Sequence, residues 1–329
     1  MSLLPLTLAC GDYDRMRALR DGSVRAAGID LNYLALPVEE IFLRMTKFQE
    51  FEVSEMSLSS YLILRSRDAH PFTAIPVFPS RMFRHSCIFA RADRGINRPE
   101  DLKGKRVGVP EYQMTAALWI RGFLQHDYGV RPEDLQWFQG GLMQTGREEK
   151  IELHLKGIDL RHISAETTLN AMLERGDLDA LLTARMPACF LQRTAPVKRL
   201  FENSKAVEQD YFKRTGIFPI MHTLVIRNDI LERHPWVAAN LYKAFQESKA
   251  RCLEAMYFSG ALPYTIPWLI PAIEEGRQVL GEDPWPYGVR ASRATLEALV
   301  QYSCEQQLSA RKMEVEEIFV PSTVTETTV

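Results

Sequence analysis

The sequence predicts an α/β protein that folds as two lobes, each with a mixed, mostly parallel sheet. Three observations support this prediction. Short apolar runs typical of buried strands alternate with segments of helical periodicity along most of the chain. The alternation restarts after a turn near residue 93, which indicates a second unit. With 329 residues, 46% of them hydrophobic and 25% charged, the chain can bury one or two cores.

The first unit is predicted to contain five strands, at "LPLTLAC", "IDLNYLAL", "FEVSEMS", "FTAIPVF" and "SCIFARA". Helices are expected after the first three. The clearest of them begins at Pro37, because apolar residues recur at helical spacing as far as Phe48 and proline is tolerated at a first helical position. A strand followed by a helix, repeated in this way, is typical of parallel pairing.

The second unit is predicted to hold a strand at Arg106–Val109, a helix that ends near Gly129, a helix that ends at Gly176 and a strand at Ala180–Thr183. The chain then returns to the first unit through a strand in "MHTLVIRND". A long helix from residue 235, a loop rich in Pro, Trp and Tyr and a last helix at 295–308 follow. Residues 1–92 and 220–329 are therefore expected to form lobe 1, and residues 93–219 to form lobe 2.

Charge and apolar content limit the class of protein. A formal net charge of −2 and the lack of a Lys/Arg run argue against nucleic-acid binding. Charged residues interrupt the apolar N-terminus from Asp12 onwards, and no later window resembles a membrane span. Five widely spaced cysteines without a CxxC pair fit a reducing compartment. The expected location is the cytoplasm, and a homo-oligomer stays open.

Several motifs that would indicate a cofactor or a metal are missing from the sequence. There is no GxxxxGK or GxGxxG loop for phosphates and no GxSxG nucleophile elbow. HxxxH, HxH and Cys/His clusters are also missing. We therefore expect neither a cofactor nor a metal site.

Polar residues that follow predicted strands are the candidates for a binding site. In two-lobed α/β proteins, ligands bind beyond the carboxyl ends of strands, in the crevice between the lobes. This rule selects segments after the first, third and fourth strands and two segments of the second lobe. The candidates are Asp12, Tyr13, Asp14, Glu55, Ser80, Arg81, Arg84, His85, Tyr112, Gln113, Thr115 and Arg185.

The stretch "FPSRMFRHS" places Arg81, Arg84 and His85 just after an apolar strand. One interpretation is a solvated loop with structural arginines. The other is an anion site, because the planar guanidinium fork matches a carboxylate. Arg185 could add a cation from the second lobe, and the helix that begins near Gln113 could add backbone amides. We favour an anion site, with a carboxylate as the best candidate.

The acidic candidates each have a structural alternative. Asp12 and Asp14 could supply an acid or a base, but Asp is also a favoured N-cap residue and a helix is expected directly afterwards. Glu55 could face the ligand with Tyr13, or it could lie on a solvated surface. We predict that Asp12 and Asp14 take part in catalysis, and that Tyr13, Glu55 and Ser80 bind substrate.

The chain resembles the type 2 periplasmic-binding-protein fold along nearly all its length. The stretches that carry this resemblance are "DLKGKRVGVPEYQMTAALWIRGFL", "MLERGDLDALLTAR" and "MHTLVIRND". A closer resemblance is to the 4,5-dihydroxyphthalate decarboxylases, which share this architecture. It is carried by "ACGDYDRMRAL", "VFPSRMFRHSCIF" and "GIFPIMHTLVIR".

This resemblance implies an activity and roles for two histidines. The activity is removal of one carboxylate from 4,5-dihydroxyphthalate, which gives protocatechuate and carbon dioxide without a cofactor. His85 and His222 lie where the chain crosses between lobes in the resembled fold, and histidine exchanges protons near neutral pH. They are therefore predicted to transfer protons, with Arg81, Arg84 and Arg185 as carboxylate binders. The structural alternative is two core histidines bonded to backbone carbonyls.

A rival class of function is a non-catalytic cytoplasmic protein that binds or senses a small aromatic carboxylate. The N-terminus carries no export signal, which argues against a transport receptor, and no DNA-binding motif is attached. In both classes the expected partner is a small aromatic dicarboxylate.

Overall fold

The computed structural model describes residues 2–67 and 70–325, and the chain divides into two compact units. Unit 1 comprises Met1–Arg81, Thr215–Glu297 and Met313–Val329. Unit 2 comprises Met82–Arg214 and Ala298–Lys312.

Unit 1 is an α/β layer structure with one five-stranded sheet. Its strands are β1 (Leu4–Cys10), β2 (Ile29–Ala35), β3 (Val53–Ser57), β4 (Phe72–Arg81) and, far along the chain, a strand named β11 here (Ile220–Arg227). Its helices are α1 (Arg17–Arg20), α2 (Val38–Phe48), α3 (Leu58–Arg65), α8 (Asn228–Arg233), α9 (Val237–Met256) and α10 (Leu269–Leu280).

The sheet of unit 1 has the order β2-β1-β3-β11-β4. The first three strands pair in parallel, whereas β11 runs antiparallel to both β3 and β4. Buried apolar side chains of β3, β4 and β11, such as Val53, Ile75 and Leu224, form the core of the sheet. β4 lies at an edge, which is where a strand that contains Pro76 and Pro79 is tolerated.

The pairing of β11 with β4 is irregular around His222. His222 pairs with Ser80, but the register shifts on both sides of this pair. Irregularities of this kind bend a strand and redirect a side chain, and they are common near active sites. On its other side, His222 pairs in regular register with Ser57 of β3.

Unit 2 contains a six-stranded sheet with the order β10-β5-β9-β6-β7-β8. Its strands are β5 (Ile88–Arg91), β6 (Arg106–Val109), β7 (Gln136–Gln139), β8 (Leu160–His162), β9 (Ala180–Leu182) and β10 (Val197–Arg199). Its helices are α4 (Thr115–Tyr128), α5 (Leu169–Arg175), α6 (Ala188–Leu191), α7 (Ser204–Thr215) and α11 (Arg293–Glu305), of which residues 298 onwards count to unit 2.

Parallel pairs join β9, β6, β7 and β8, while β5 is antiparallel to β9 and β10. One buried apolar cluster packs against this sheet and consists of Phe89, Leu142, Leu169, Leu173, Leu178, Leu181 and Cys189. With both sheets mixed and flanked by helices, the predicted α/β fold class is confirmed.

The units differ from the predicted ranges at three places. Residues 215–219, expected in lobe 2, lie in unit 1. Residues 82–92, expected in lobe 1, lie in unit 2 because β5 pairs with β9 and β10. Residues 298–312, also expected in lobe 1, lie in unit 2 because the end of α11 packs on α4. There Tyr302 fits against Gly122, where an added Cβ would lie 2.1 Å from the Tyr302 ring, and Gln306 accepts a hydrogen bond from Arg121.

Some elements were not predicted from the sequence. Strand β7 and helix α7 lie in stretches without a clear apolar period, and α10 lies in the segment that was expected to be a loop. Among the residues described, no helix combines the length and the apolar character needed to cross a membrane.

Candidate functional site

Glu55, in the middle of β3 and beside the carboxyl end of β1, is the centre of a buried polar cluster. Its side chain is fully buried, and both carboxylate oxygens accept hydrogen bonds. Oε2 accepts from the Gly11 amide (2.8 Å) and the Cys10 thiol (3.4 Å). Oε1 accepts from the Tyr13 hydroxyl (2.7 Å) and lies 2.6 Å from Nδ1 of His222. Parallel pairing of β1 with β3 brings these groups together, since the two strands end at the same edge.

His222 is oriented by two contacts. Nδ1 meets Glu55, and the ring packs edge-on against Phe42 of α2 with a centroid distance of 4.8 Å. An imidazole that donates Nδ1–H to a carboxylate keeps its other nitrogen, Nε2, for a ligand or a proton. About a sixth of the His222 side chain is exposed, at 17%, so solvent or a small molecule can reach it.

The electrostatics of this cluster keep Glu55 ionised. Burial by itself would raise the pKa of Glu55, but the hydrogen bond and charge of His222, with the Gly11 amide and the Tyr13 hydroxyl, lower it overall. Burial and then the charge of Glu55 raise the pKa of Tyr13 and of Cys10. Both groups therefore stay protonated and act as donors to Glu55.

Arg15, which was not among the predicted residues, fixes the Tyr13 side of the cluster. Its guanidinium lies 4.3 Å from the centroid of the Tyr13 ring and 4.3 Å from that of Trp285. Nε donates to the Pro79 carbonyl (2.7 Å). Asp14 accepts from the Arg15 amide (2.7 Å) and from its guanidinium (3.1 Å). Asp14 therefore holds Arg15 in place.

Asp12 lies apart from this cluster. Its side chain is 68% exposed and pairs with Arg20 of α1. The structure therefore places Asp12 on the surface. Its catalytic role stays a prediction that the geometry does not favour.

Arg81 is buried, and its guanidinium forms hydrogen bonds within unit 1. It donates to the carbonyls of Phe218 (3.0 Å) and Pro286 (2.6 Å) and to the hydroxyl of Ser292 (2.7 Å). Burial lowers the pKa of Arg81 to about 9. These bonds favour the structural interpretation of Arg81, since a carboxylate ligand would have to replace them. Ser80, by contrast, is half-buried and stands next to His222 in the sheet.

His85 lies in unit 2 among aromatic rings. Its ring stacks on Phe123 at 4.1 Å and meets Phe201 and Tyr211 edge-on. Neither ring nitrogen has a hydrogen-bond partner in the described part of the chain. Burial and then the charge of Arg214 lower the pKa of His85 to about 4, so the ring is neutral near pH 7. The surroundings favour packing over the predicted proton transfer.

The two other predicted arginines also lie in unit 2. Arg84 is buried, and its guanidinium donates to the thiol of Cys87 (3.6 Å). Arg185 is exposed and follows β9, where its amide bonds to Thr183 (3.2 Å). Carboxylate binding by these two arginines stays a prediction.

The start of α4, predicted to bind an anion, already holds a carboxylate of the chain. Oε1 of Glu149 accepts from the amides of Tyr112 and Gln113, and Oε2 accepts from Nε2 of Gln113 (2.5 Å). Burial, with the charge of Glu111 adding to it, raises the pKa of Glu149 to about 7 against the effect of these hydrogen bonds. Substrate binding by Tyr112, Gln113 and Thr115 stays a prediction that would require Glu149 to move.

The side chain of Glu111 next to this helix start is also paired. It bonds to Arg147 (2.6 Å) and Lys150. No sequence signal marks Glu149, because it lies 36 residues beyond Gln113 in a stretch without periodicity. Within residues 2–67 and 70–325, no group of three or more His, Cys, Asp and Glu side chains could hold a metal ion.

Of the predicted site residues, the structure brings Tyr13, Glu55 and His222 into one hydrogen-bonded group, with Asp14 and Ser80 beside it. Tyr112, Gln113 and Thr115 form a second group around the start of α4. The first group combines an ionised carboxylate, an oriented imidazole and a phenol. Such a set can hold and transfer a proton.

Curated relatives match this chain over nearly its whole length. A 4,5-dihydroxyphthalate decarboxylase of Comamonas testosteroni is 40% identical over 325 residues, which are 98% of each chain. A 4,5-dihydroxyphthalate decarboxylase of Pseudomonas putida is 43% identical over 214 residues, which are 65% of this chain and 83% of the relative.

Solved structures share the fold at low identity. The periplasmic aliphatic sulphonate-binding protein SsuA of Escherichia coli has a TM-score of 0.56 at 12% identity, with 98% of this chain and 99% of that chain covered. A sulfonate-binding SsuA of Methylobacillus flagellatus has a TM-score of 0.57 at 14% identity, with 98% and 94% covered.

A family model for phosphonate ABC transporter periplasmic substrate-binding proteins matches residues 14–149. The fold is thus that of the periplasmic binding proteins, and the predicted resemblance is confirmed. With 40% identity to a curated relative along 98% of its length, the chain belongs to the family of the 4,5-dihydroxyphthalate decarboxylases.

Proposed function

We propose that the protein removes one carboxylate from 4,5-dihydroxyphthalate and releases 3,4-dihydroxybenzoate and carbon dioxide, with His222 as the proton-transfer residue. Membership of the family supports the reaction. The observation that carries the role of His222 is its 2.6 Å contact through Nδ1 with the fully buried, ionised carboxylate of Glu55. This contact fixes the ring and directs Nε2 away from Glu55, so that Nε2 can carry the proton that a general acid donates.

The reaction needs a proton at one ring carbon. A base takes the hydroxyl proton para to the departing carboxylate, which pushes electron density onto the carbon that bears it. The phenolate oxygen regains this proton once carbon dioxide has left. His222, as imidazolium, donates the Nε2 proton to that carbon. The bond from the ring to the carboxylate then breaks, its electron pair restores the aromatic ring, and neutral carbon dioxide leaves. In the net reaction one proton replaces one molecule of carbon dioxide.

The cluster contributes orientation as well as charge. Glu55 accepts four hydrogen bonds and has no exposed surface, so it does not reach the substrate and acts only through its neighbours. An orienting carboxylate of this kind selects the imidazole tautomer that presents Nε2. Phe42 of α2 packs against the ring of His222 and restricts its rotation.

The test is a decarboxylation assay on the purified chain and on His222→Gln, with carbon dioxide and dihydroxybenzoate both measured. Single-turnover rates should fall by roughly 10²–10⁴-fold in His222→Gln with little change in KM. The matched control is His234→Gln, since His234 belongs to the same unit and its ring lies against Trp236. It should keep the wild-type rate.

Two outcomes would contradict the proposal. Binding of 4,5-dihydroxyphthalate without release of carbon dioxide would indicate a binding or sensor protein. Loss of the wild-type rate after dialysis against a chelator, with recovery on adding a metal ion, would show that the reaction depends on a metal ion and contradict metal-free proton transfer by His222.

A further inference from the structure

The hydroxyl of Tyr13 and Nδ1 of His222 meet the same oxygen of Glu55, at 2.7 and 2.6 Å. From this shared acceptor we infer that Tyr13 is a positioning residue for His222, and that Gly11 and Arg15 are the residues that hold Tyr13 there. The inference rests on the proposed function, since it assigns how proton transfer by His222 is controlled. Tyr13 was expected to bind substrate, and this inference gives it a different task.

Gly11 makes room for the Tyr13 ring. A Cβ atom on residue 11 would lie 2.7 Å from Cε2 and 2.8 Å from Cζ of Tyr13, closer than carbon atoms can approach. The backbone of Gly11 is held on both sides, because its amide donates to Glu55 and its carbonyl accepts from the Tyr33 hydroxyl (2.7 Å). Any side chain at position 11 would therefore displace the ring of Tyr13 and not the backbone.

Arg15 holds the ring by a cation–π contact. Its guanidinium lies 4.3 Å from the centroid of the Tyr13 ring and is itself bonded to the Pro79 carbonyl. The phenol is thus fixed by Gly11 and by Arg15, and its hydroxyl can reach only the Oε1 side of Glu55 in this arrangement. Because the Tyr13 hydroxyl is already held in place, it loses little conformational freedom when it donates to the charged carboxylate of Glu55.

The hydroxyl of Tyr13 determines how strongly Glu55 competes for the His222 proton. With two donors on Oε1, the negative charge of that oxygen is shared between them. Without the phenol, the charge is available to His222 alone, and the imidazolium is bound more tightly. Titratable and charged groups near this pair include Cys10, Tyr13, Arg15 and Tyr33. Of these, only Cys10 and Tyr13 bond to Glu55 by a side chain.

The test compares Tyr13→Phe and Gly11→Ala with Tyr61→Phe. The control removes another buried phenol hydroxyl of unit 1, which bonds to the Ile318 carbonyl. The titration of His222 is followed by ¹⁵N NMR of histidine-labelled full-length protein, which reports both its pKa and which nitrogen carries the proton. In Tyr13→Phe the midpoint should rise by roughly 1–2 pH units, because hydrogen bonds to charged groups have such magnitudes. Tyr61→Phe should leave it unchanged.

The double variant tests whether Gly11 acts through Tyr13. Gly11→Ala should shift the His222 midpoint as Tyr13→Phe does, and combining the two should add nothing, because the interaction is already lost. Additive shifts, or an unchanged midpoint and tautomer in Tyr13→Phe, would overturn the inference. If Gly11→Ala does not fold, the comparison of Tyr13→Phe with Tyr61→Phe still decides.

A pH profile of kcat separates this inference from the proposed function. If both hold, the limb that reports His222 moves to higher pH in Tyr13→Phe by the same amount as the NMR midpoint. If the NMR midpoint of His222 moves but neither the wild type nor the variants release carbon dioxide, Tyr13 positions His222 and the proposed reaction is the part that fails.

Discussion

The imidazole of His222 lies 2.6 Å from the carboxylate of Glu55, although 167 residues separate the two in the sequence. Two features of the fold produce this contact. β11 returns from the far part of the chain to pair with β3, and the irregular register with β4 falls at His222 itself. The buried carboxylate of Glu55 and the partly exposed imidazole of His222 thereby form one hydrogen-bonded pair.

Glu55→Gln should lower kcat about 100-fold with little effect on KM. The neutral amide cannot stabilise the imidazolium of His222, and the limb of the pH profile that reports His222 should move to lower pH. The matched control is Glu52→Gln, because Glu52 accepts a backbone hydrogen bond from Thr7 (2.9 Å) in the same unit. If Glu55→Gln keeps the wild-type profile, Glu55 does not control His222.

Arg81→Met should reduce the free energy of unfolding by several kcal/mol, on the order of 1–3 kcal/mol for each buried acceptor left without a donor. The carbonyls of Phe218 and Pro286 are the acceptors concerned. Arg185→Met, at an exposed position, should change stability by less than about 0.5 kcal/mol. Urea unfolding measures both. A stable Arg81→Met that binds substrate poorly would restore the predicted role of Arg81 as a carboxylate binder.

Arg185→Met also tests the predicted carboxylate contact in the second unit. If Arg185 binds substrate, KM should rise roughly tenfold or more while kcat changes less, because a charge-assisted hydrogen bond is lost. Steady-state kinetics on the same preparation give both constants. An unchanged KM would limit Arg185 to a surface role.

His85→Phe should make the protein more resistant to acid. The folded state holds the pKa of His85 at about 4, below the ordinary value of 6.5, so the unfolded chain takes up a proton that the folded state refuses as the pH falls. Stability is therefore lost between pH 6.5 and 4, by about 3 kcal/mol in all. The variant lacks this loss and keeps a ring that can stack on Phe123.

Urea unfolding of the wild type and His85→Phe at pH 7 and pH 4 measures this difference. The titrating groups that do not contact His85 are common to both proteins, so their effects cancel. Glu208, 4.0 Å from Nδ1 of His85, is the group whose titration can differ. Equal stability differences at the two pH values would mean that His85 is protonated normally. Loss of activity in a folded His85→Phe would return His85 to the proton-transfer role predicted from the sequence.

Glu149→Gln should remove a pH-dependent loss of stability that Glu149 causes in unit 2. The pKa of Glu149 is raised to about 7, above the ordinary value of 4.5, so the folded state keeps a proton that the unfolded chain loses between these values. The wild type should therefore lose about 3 kcal/mol relative to Glu149→Gln as the pH rises from 4.5 to 7. Urea unfolding at pH 4.5, 6 and 8 checks this, and a constant difference would contradict it.

The fold was predictable because its signal is local. Apolar runs such as Leu4–Cys10 and Arg106–Val109 become strands at the predicted residues, and Gly129 and Gly176 end helices as expected. β7 was missed because its polar and aromatic residues show no strong period, and α10 because its proline-rich start looks like a loop. The position of residues 298–312 depends on packing between distant segments, which no local pattern reports.

The site was predictable only in part, for the same physical reason. The rule that ligands meet the carboxyl ends of strands selected Tyr13 and Glu55, and the family resemblance added His222. Whether a polar side chain is used internally depends on partners far away in the sequence. Arg81 finds its acceptors at residues 218, 286 and 292, and Glu149 finds its donors 36 and 37 residues earlier. None of these partners could be identified from the residues around Arg81 or Glu149.

Because β11 separates β3 from β4, the sheet of unit 1 cannot be completed until late in synthesis. After β4 has left the ribosome, the roughly 150 residues up to the end of β11 take about 7–30 s to follow. During that interval β3 and β4 both present unpaired backbone edges, and direct pairing between them would exclude β11. Non-native pairing of β3 with β4 in the nascent chain therefore competes with the later native pairing of both strands with β11. Chaperone binding to these two edges would favour the native order.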